Sequence, residues 1–352
     1  MTDEIIFERH GGLGMVRLNR PKALNTLSLG MYRRFAPQLV AWGDDPAVHA
    51  IAVVGEGGRA FCAGGDVRAI YDARNKLGSE SADFFREEYS LIAHVHRFPK
   101  PYIALMDGIV MGGGAGISIN GSHRVATEKT LFAMPEVQIG LFPDVGATRF
   151  LNRCPGRIGL YLALTGRRLG AADALYCSLA THYVPSDRLP ALLDALAAAE
   201  WRAPDAGAQV DAALARFASA AGAAELGNLR GEIDRVFSAP SVEAIVAALE
   251  TEKADWAKEA RTAIARASPL SLKITFRQLQ IGKGISVPAA LALEYRLTQH
   301  ILAGHDFFEG IRAVLVDKDN APHWQPASLV AVTAEDVDAY FAALGPREPS
   351  FA

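Results

Sequence analysis

Cysteine is scarce in this chain of 352 residues, which contains three: Cys62, Cys154 and Cys177. They are widely separated, they form no C-x-x-C pair, and their odd number leaves one without a disulfide partner. A secreted domain held by disulfides has the opposite pattern. We therefore expect the cysteines to be reduced.

A basic stretch is also lacking. The 36 lysines and arginines are balanced by 39 aspartates and glutamates, which gives a formal net charge of -3. Proteins that follow a phosphate backbone carry a run or a patch of positive charge. We therefore expect no nucleic-acid partner.

Neither a targeting segment nor a membrane span is predicted. The first twelve residues, MTDEIIFERHGG, mix both charges and lack the apolar segment of a secretory signal and the arginines of a transit peptide. The most apolar long window, residues 101–119, is interrupted by Asp107 and by glycines. We therefore expect a cytoplasmic protein without a membrane partner.

Hydrophobic residues, by contrast, make up 50% of the chain, which is enough for a large core, and the length suggests two domains. Short β-like runs at residues 5–8, 15–18, 50–54 and 102–105 alternate with helical patterns. This alternation predicts an α/β core of repeated β-β-α units. Beyond residue 184 the chain is rich in alanine and helical, with breaks at residues 204–207 and 238–241. We expect a catalytic core in residues 1–200 and a C-terminal helical region in residues 201–352.

A charged helical pattern covers residues 70–96, with an apolar side formed by residues such as Phe85 and Tyr89. Glu87 and Glu88 lie in this pattern, where a glutamate usually belongs to a solvated face. His94 and His96 have no third ligand at a helical spacing, so we expect surface histidines rather than a metal site.

The segment from residue 106 to 151 concentrates the features that carry chemistry. A buried strand at residues 102–105 leads through three glycines, residues 112–114, into a run that is able to open a helix. Such a turn leaves N–H groups bare at the positive end of a helix dipole, where negative charge is stabilised. The alternative is an ordinary turn in which glycine only satisfies the backbone.

Two carboxylates follow among apolar residues, Glu136 in AMPE and Asp144 in GLFPDVG. A carboxylate in such a place is destabilised by desolvation unless it has partners or a function. For Asp144 the structural alternative is the N-cap of a following helix. For Glu136 it is a buried ion pair with Arg124 or Arg149.

The order and spacing of four segments, FCAGGD (61–66), MGGG (111–114), FAMPE (132–136) and GLFPDVG (140–146), resemble the crotonase superfamily, also called enoyl-CoA hydratase/isomerase. The resemblance runs from about residue 6 to about residue 345. It includes RPKALNTL (20–27), FREEY (85–89), ALTGRRL (163–169), SPLSLKIT (268–275) and EYRLTQHILAGHDFFEGIRAVLVDKD (294–319). It implies a spiral of β-β-α repeats that binds an acyl-CoA thioester.

The resemblance also implies an oxyanion hole formed by the backbone N–H groups of Gly65 and Gly113. The coenzyme A would lie along the turn of residues 60–66, which contains Ala63, Gly64 and Asp66, with the adenine near Ala63. Its phosphates would lie near Lys22 or Arg59.

One position departs from the hydratases of the superfamily. Their first catalytic glutamate falls at position 116, which is glycine here, whereas Glu136 keeps the place of the second. Asp144 supplies another carboxylate where the hydratases generally have a small residue. This arrangement, GLFPDVG and the C-terminal motifs resemble the branch that hydrolyses 3-hydroxyisobutyryl-CoA in valine breakdown.

For that activity Glu136 is expected to be the nucleophile or the base that activates water, and both roles stay open. Asp144 would hold the water or the substrate hydroxyl, and Glu88 would help to place the acyl group. No metal, nucleotide or flavin is required. We take the adjacent His305 and Asp306 as structural, because neighbours in sequence rarely form a catalytic pair.

Two other functions remain as alternatives: a hydratase or isomerase of another acyl-CoA, and a non-catalytic acyl-CoA-binding protein. Related crotonases often form trimers. The extra C-terminal helices are an alternative cover for that surface, so a homo-oligomer stays an open alternative.

Overall fold

Strands and helices alternate in the first half of the chain, as the sequence predicts. The computed structural model describes residues 3–74, 80–202 and 205–351. Its strands are β1 (Ile5–His10), β2 (Leu13–Leu18), β3 (Ala50–Gly55), β4 (Ala60–Cys62), β5 (Tyr102–Met106), β6 (Ile109–Met111), β7 (His123–Ala126), β8 (Leu131–Ala133) and β9 (His182–Tyr183).

The α-helices divide into a first group that is interleaved with the strands and a second group that follows β9. The first group is α1 (Leu29–Asp44), α2 (Val67–Ala73), α3 (Glu80–His96), α4 (Gly113–Ile119), α5 (Ala147–Phe150), α6 (Ile158–Thr165) and α7 (Ala171–Tyr176). The second group is α8 (Leu189–Ala197), α9 (Ala206–Phe217), α10 (Glu225–Val236), α11 (Val242–Thr251), α12 (Asp255–Arg266), α13 (Pro269–Ile281), α14 (Val287–Leu302), α15 (Asp306–Ile311) and α16 (Ala334–Tyr340).

Short helical turns complete the described secondary structure. The 3₁₀ turns are Pro21–Ala23, Glu136–Ile139, Leu151–Arg153, Ser186–Arg188, Leu329–Ala331 and Gly345–Arg347, and one π turn spans Arg312–Val316. None of the described helices is long and apolar enough to cross a membrane.

The strands form two sheets. The larger has the order β1-β2-β3-β5-β7-β9, and the smaller has the order β4-β6-β8. β1 and β2 form an antiparallel hairpin around Gly11 and Gly12, and β2, β3, β5, β7 and β9 pair in parallel. The pairs β3/β4, β5/β6 and β7/β8 each place one strand in the larger sheet and one in the smaller sheet, and a helix or helical turn follows each pair. This confirms the α/β fold of repeated β-β-α units.

The described contacts divide the chain into two interleaved units. Unit 1 contains Met1–Gly65, Ser90–Phe132 and Leu169–Glu225, and unit 2 contains Asp66–Tyr89, Ala133–Arg168 and Leu226–Ala352. This division differs from the single boundary near residue 200 that the sequence suggests. The units are interleaved because two segments of the β-β-α region, Asp66–Tyr89 and Ala133–Arg168, pack with the C-terminal helices in unit 2. Within the helical pattern expected at 70–96, residues 75–79 lie outside the described residues, as does Pro204 of the break expected at 204–207.

Unit 1 is built around the apolar strands of the larger sheet. Ala50, Ile51, Ala52 and Val53 are fully buried, which agrees with a parallel strand covered on both faces. The core of this unit also contains Leu13, Ile103, Leu105, Val125, Leu189, Leu192, Leu196, Val210 and Leu214. The helices α8 and α9 therefore complete the core of unit 1.

Unit 2 is built mainly from helices. On α14 the buried side chains recur at Leu291, Glu294, Leu297 and Ile301, one face of a helix of 3.6 residues per turn. An aromatic cluster also fills this unit: Phe85, Tyr89, Tyr295, Phe307 and Phe351. The glutamate at position 294 interrupts an otherwise apolar stripe.

The glycine triplet packs closely against strand β4. A Cβ atom added at Gly114 would lie 2.2 Å from the carbonyl oxygen of Cys62. Gly231, in contrast, is exposed on α10 and has open space around an added Cβ atom. The same substitution should therefore have opposite effects at the two positions.

We expect Gly114→Ala to lower the free energy of unfolding by about 1–3 kcal/mol, because the backbone around Cys62 must shift. Gly231→Ala should raise it by up to about 1 kcal/mol, because alanine is the better helix former. Urea denaturation of both variants measures the difference. Equal stability of the Gly114 variant and the unchanged protein would contradict the close packing.

Candidate active site

The glycine triplet joins strand β6 to helix α4 within unit 1. Gly112 has φ 47° and ψ -123°, a conformation that a residue with a side chain rarely adopts. Gly113 is the first residue of α4, where a helix leaves its N–H groups without carbonyl partners. The predicted strand–glycine–helix arrangement is confirmed, and the N–H group of Gly113 is a free donor position at a helix start.

The second glycine turn lies beside the first. At Gly64 φ is 118°, and an added Cβ atom would lie 3.5 Å from Met111 O and 3.9 Å from the nitrogen of Gly113. Among the described residues, the N–H groups of Gly65 and Gly113 donate to no backbone carbonyl. Unit 1 therefore brings the turns that carry both predicted oxyanion donors close together.

The predicted coenzyme A segments are joined by backbone hydrogen bonds. The N–H of Ala63 donates to Leu24 O at 3.0 Å, and the N–H of Leu27 donates to Gly64 O at 2.9 Å. The exposed Lys22 lies in the 3₁₀ turn Pro21–Ala23, directly before Leu24. The structure thus holds the segment that contains Lys22 against the Ala63–Gly64 turn.

The other two polar residues predicted to lie near coenzyme A are Asp66, which caps a helix, and Arg59, which is exposed. Asp66 is the N-cap of α2 and accepts a hydrogen bond from Ala69 N at 3.2 Å. The carboxylate of Asp66 therefore has a structural role as a helix cap, in addition to the predicted binding role. Arg59 is exposed at the end of the turn before β4.

Three acidic side chains are buried in unit 2: Glu88, Glu136 and Asp144 are 3%, 5% and 4% exposed. Glu88 lies on α3, Glu136 begins the 3₁₀ turn Glu136–Ile139, and Asp144 lies in the loop before α5. We call these three residues the carboxylate cluster. The solvated face that an isolated Glu88 suggests is therefore wrong, because α3 buries this residue together with its apolar side.

Asp144 has a specific partner. The hydroxyl of Tyr89 donates to Asp144 Oδ2 at 2.6 Å. The helix α5 has Gly146 as its N-cap and no side-chain cap. The capping alternative for Asp144 is therefore wrong, because its carboxylate faces Tyr89 instead of the helix start.

Glu136 does not form the ion pair that was the structural alternative. Arg149 donates to Ile285 O at 2.7 Å, and Arg124 donates to Gly121 O at 2.9 Å. Within the described residues, Glu136 Oε2 is buried and has no hydrogen-bond partner. A buried acceptor without a partner is destabilising, and such atoms in a native protein often mark a functional group.

Two members of the carboxylate cluster, Glu136 and Asp144, hold protons more strongly than exposed carboxylates do. Burial, and then the charges of Asp144 and Glu88, raise the pKa of Glu136 well above its ordinary value. Burial raises the pKa of Asp144 to about 6, although the hydrogen bond from Tyr89 lowers it. Glu136 and Asp144 therefore both keep a proton to higher pH than exposed carboxylates do, an arrangement suited to acid–base chemistry.

The loop around Asp144 is held by side chains of the C-terminal helices. Glu294 on α14 accepts hydrogen bonds from Gly146 N at 2.7 Å, from Thr148 N at 2.9 Å and from Thr148 Oγ1 at 2.7 Å. Gln278 on α13 donates to Pro143 O at 2.7 Å and to Thr148 Oγ1 at 2.8 Å. These bonds fix the backbone on both sides of Asp144.

The same loop contains an unfavourable backbone conformation. Val145 has φ 57°, in the left-handed region that β-branched residues avoid. Strain of this kind costs on the order of 1–3 kcal/mol and persists where the surroundings fix the backbone. Here the hydrogen bonds to Glu294 and Gln278 do so.

Sequence reasoning missed Tyr89, Glu294 and Gln278. Tyr89 was assigned to the apolar side of its helix, and the other two lie in motifs to which no individual role was given. A signal was present at position 294, because a glutamate on a regular apolar stripe requires buried partners.

The structural interpretation of His305 and Asp306 agrees with their contacts. Asp306 accepts hydrogen bonds from Ser268 Oγ at 2.5 Å and from Gln325 N at 2.8 Å. His305 Nε2 lies 2.9 Å from His323 O. Both residues connect C-terminal segments of unit 2.

The raised pKa of Glu136 gives a signed prediction for stability. The folded protein keeps a proton on Glu136 that the unfolded chain releases above about pH 4.5. The stability from this group is complete below the unfolded pKa and is lost as the pH rises through the folded pKa, by at most about 1.4 kcal/mol per pH unit. Glu136→Gln removes this loss, so its free energy of unfolding relative to the unchanged protein should be higher at pH 8 than at pH 5.

Urea denaturation at the two pH values measures this effect. Glu87→Gln is the matched control, since Glu87 is a half-buried neighbour of the cluster with the same chemical change. Its effect should stay within about 0.5 kcal/mol at both pH values. A Glu136 variant with the same relative stability at pH 5 and pH 8 would contradict the raised pKa.

Comparison with known proteins identifies the family to which this chain is similar. The family model described as enoyl-CoA hydratase/isomerase matches residues 13–341. The chain is 47% identical to the mitochondrial 3-hydroxyisobutyryl-CoA hydrolase of Xenopus tropicalis, over 97% of this chain and 89% of that protein. It is 44% identical to the human protein of the same name, over 99% and 91%.

Two solved structures are similar over 98% of both chains. One is a carnitinyl-CoA dehydratase from Mycobacterium thermoresistibile, with a TM-score of 0.91 and 43% identity. The other is an enoyl-CoA hydratase from Rhodobacter sphaeroides, with a TM-score of 0.90 and 38% identity.

The curated relatives correct one expectation from the sequence. Both are named as mitochondrial proteins, so the expected cytoplasmic location is wrong. The lack of a recognisable targeting segment was not a sufficient basis for a location.

The family model covers most of the chain, and the relatives align over nearly all of it. The chain belongs to the enoyl-CoA hydratase/isomerase family.

Proposed function

We propose that this protein hydrolyses the thioester of a short 3-hydroxyacyl-CoA, with 3-hydroxyisobutyryl-CoA from valine catabolism as its principal substrate. The observation that carries the proposal is the buried pair of Glu136 and Asp144, together with a glycine at position 116. The names of the curated relatives support the same reaction and substrate.

The carbonyl oxygen of a thioester gains negative charge when its carbon is attacked. Preorganised N–H donors stabilise that charge, and each is worth on the order of a hundredfold or more in rate. Gly65 and Gly113 are the donors in our proposal. Glycine suits both positions because the substrate must approach the backbone closely.

Glu136 acts in the proposal as the nucleophile or as the base. As the nucleophile, its carboxylate oxygen bonds to the carbonyl carbon, the C–S bond breaks, and water then cleaves the mixed anhydride. As the base, it takes a proton from the water that attacks the same carbon. In both cases a proton reaches the departing sulfur, and the products are the free acid and CoA.

The titration of the pair constrains this chemistry. In the free protein Glu136 holds a proton to higher pH than an exposed glutamate does, because burial and the charges of Asp144 and Glu88 raise its pKa well above its ordinary value. Glu136 must therefore lose that proton before it attacks or accepts another. Asp144 is the natural acceptor within the pair, and it then holds the proton for the departing thiolate. Thioester hydrolysis by this route uses water and two carboxylates, with no metal, nucleotide or flavin.

Hydration or dehydration of an acyl-CoA is the second candidate, favoured by the names of the two similar structures. Hydratases of this superfamily hold a water between two glutamates. Gly116 is buried within α4 and contributes no carboxylate. A non-catalytic binding protein is disfavoured because it would have no use for buried carboxylates that destabilise the fold.

A panel of CoA thioesters separates these functions. We expect release of free thiol from 3-hydroxyisobutyryl-CoA and 3-hydroxypropionyl-CoA, and little hydration of crotonyl-CoA. Butyryl-CoA should be a far poorer substrate, since a buried group that binds the 3-hydroxyl would be left unpaired, at a cost of roughly 1–3 kcal/mol. If crotonyl-CoA were hydrated rapidly while the 3-hydroxyacyl thioesters were not cleaved, the proposal would be overturned in favour of a hydratase.

Substitutions test the assigned carboxylates. Glu136→Gln should keep the fold and the affinity for CoA but lower kcat by about a hundredfold or more. Asp144→Asn should also lower kcat while it preserves the melting temperature, since Asp144 caps no helix. Steady-state thiol release and thermal melting are measured on the same samples, with Glu87→Gln as the control. Near-normal turnover of the folded Glu136 variant would exclude its catalytic role.

A further inference from the structure

Tyr89 is the one hydrogen-bond donor that the structure identifies for the Asp144 carboxylate among the described side chains. It follows Glu88 on α3 and is fully buried. Its hydroxyl lies 2.6 Å from Asp144 Oδ2, which is in the range of charge-assisted hydrogen bonds between a hydroxyl and a carboxylate. The proton belongs to Tyr89, because burial and the Asp144 charge raise the pKa of this tyrosine well above its ordinary value.

Aromatic packing fixes the ring of Tyr89 independently of Asp144. Phe85, Tyr295 and Phe351 contact it edge-on, with ring centroids at 6.0, 6.5 and 6.2 Å. Edge-to-face arrangements of this kind are favourable and directional. The hydroxyl therefore has a position that is set by the core of unit 2.

The backbone of Asp144 is fixed from the other side, by Glu294 and Gln278 through the loop residues on either side of it. A carboxylate held at its backbone still rotates about its side-chain bonds. The hydrogen bond from Tyr89 removes that freedom. It also stabilises the ionised form of Asp144, because only the charged carboxylate gains fully from a hydroxyl donor.

We propose that Tyr89 is a positioning residue for the reaction: it orients the Asp144 carboxylate and favours its ionised form, so that Glu136 and not Asp144 carries the proton. Through Asp144, Tyr89 keeps the proton on Glu136 until substrate binds. This inference rests on the proposed hydrolysis for its catalytic consequence. The position of the proton, on Glu136 or on Asp144, is a property of the free protein and does not depend on any activity.

Charged groups of unit 2 act on the pKa values of this pair. Glu88 and Asp144 raise the pKa of Glu136, and Glu294 is a further buried acid whose own pKa is raised to about 8, mainly by burial and in part by Asp144. Each of these groups disfavours additional negative charge. Tyr89 has the opposite effect on Asp144 and stabilises its charged form.

The test is Tyr89→Phe, which removes the hydroxyl and keeps the ring. The pKa of Asp144 should rise without its donor, so we expect the acid limb of the kcat/KM profile to move to higher pH by about one unit. We expect kcat to fall about tenfold and KM to change little. Loss of packing alone would lower the melting temperature without a shift of the pH profile.

Tyr295→Phe is the matched control. Tyr295 belongs to the same aromatic cluster, and its hydroxyl accepts from Arg86 Nη2 at 3.0 Å instead of donating to Asp144. This variant should keep the pH profile of the unchanged protein. Identical profiles for the Tyr89 variant, the Tyr295 variant and the unchanged protein would overturn the inference.

A measurement without substrate separates this inference from the proposed function. Infrared titration should reveal a carboxyl group that is absent from Asp144→Asn and that titrates at higher pH in Tyr89→Phe. If this shift occurs but no thioester is cleaved, the proposed hydrolysis fails and the effect of Tyr89 on the proton stands. If thioesters are cleaved and the titration does not move, the inference fails and the hydrolysis stands.

Discussion

The hydrogen bond between Tyr89 and Asp144 is the interaction on which the candidate site depends most. Glu136 and Asp144 are both removed from water, and two neighbouring carboxylates cannot both ionise cheaply in such a place. The Tyr89 hydroxyl donates to Asp144 at 2.6 Å and lowers the pKa of that carboxylate, so the two carboxylates differ in proton affinity. Such a difference suits acid–base chemistry, which requires one carboxylate that holds a proton and one that accepts it.

This arrangement makes demands on the surrounding fold. Val145 is held in a left-handed conformation, and Glu294 is buried in the middle of an apolar helix face so that it accepts the N–H groups of the loop. Gln278 supports the same loop from α13. The C-terminal helices therefore contribute to the site by orienting Asp144, in addition to forming the core of unit 2.

The proposed mechanism differs from that of the superfamily's hydratases in the element that supplies the second carboxylate. A glutamate at 116 would project from α4, whereas Asp144 projects from a loop that α13 and α14 hold. The second carboxylate thus originates from a different element, and its orientation depends on side chains far along the chain. In the proposed mechanism the glycine turns at 64–65 and 112–114 suit either reaction, since both chemistries develop negative charge on the same carbonyl oxygen.

Local sequence patterns determined a large part of this protein. The hairpin β1–β2, the capped start of α1 at Ser28 and the glycine turns follow from hydrophobic alternation, capping and positive φ angles, which act over a few residues. The family motifs identified Glu88, Glu136 and Asp144 as the residues of interest. They also indicated the α/β repeats.

Only the tertiary structure decided how these residues are partnered. A proline followed by aspartate predicts a helix cap as well as it predicts a catalytic group, and the difference lies in a tyrosine 55 positions away. The same holds for Glu294, whose partners are 146 and 148 positions earlier. Proton affinities in the cluster depend on burial and on these long-range contacts, because desolvation and charge act through space and not along the sequence.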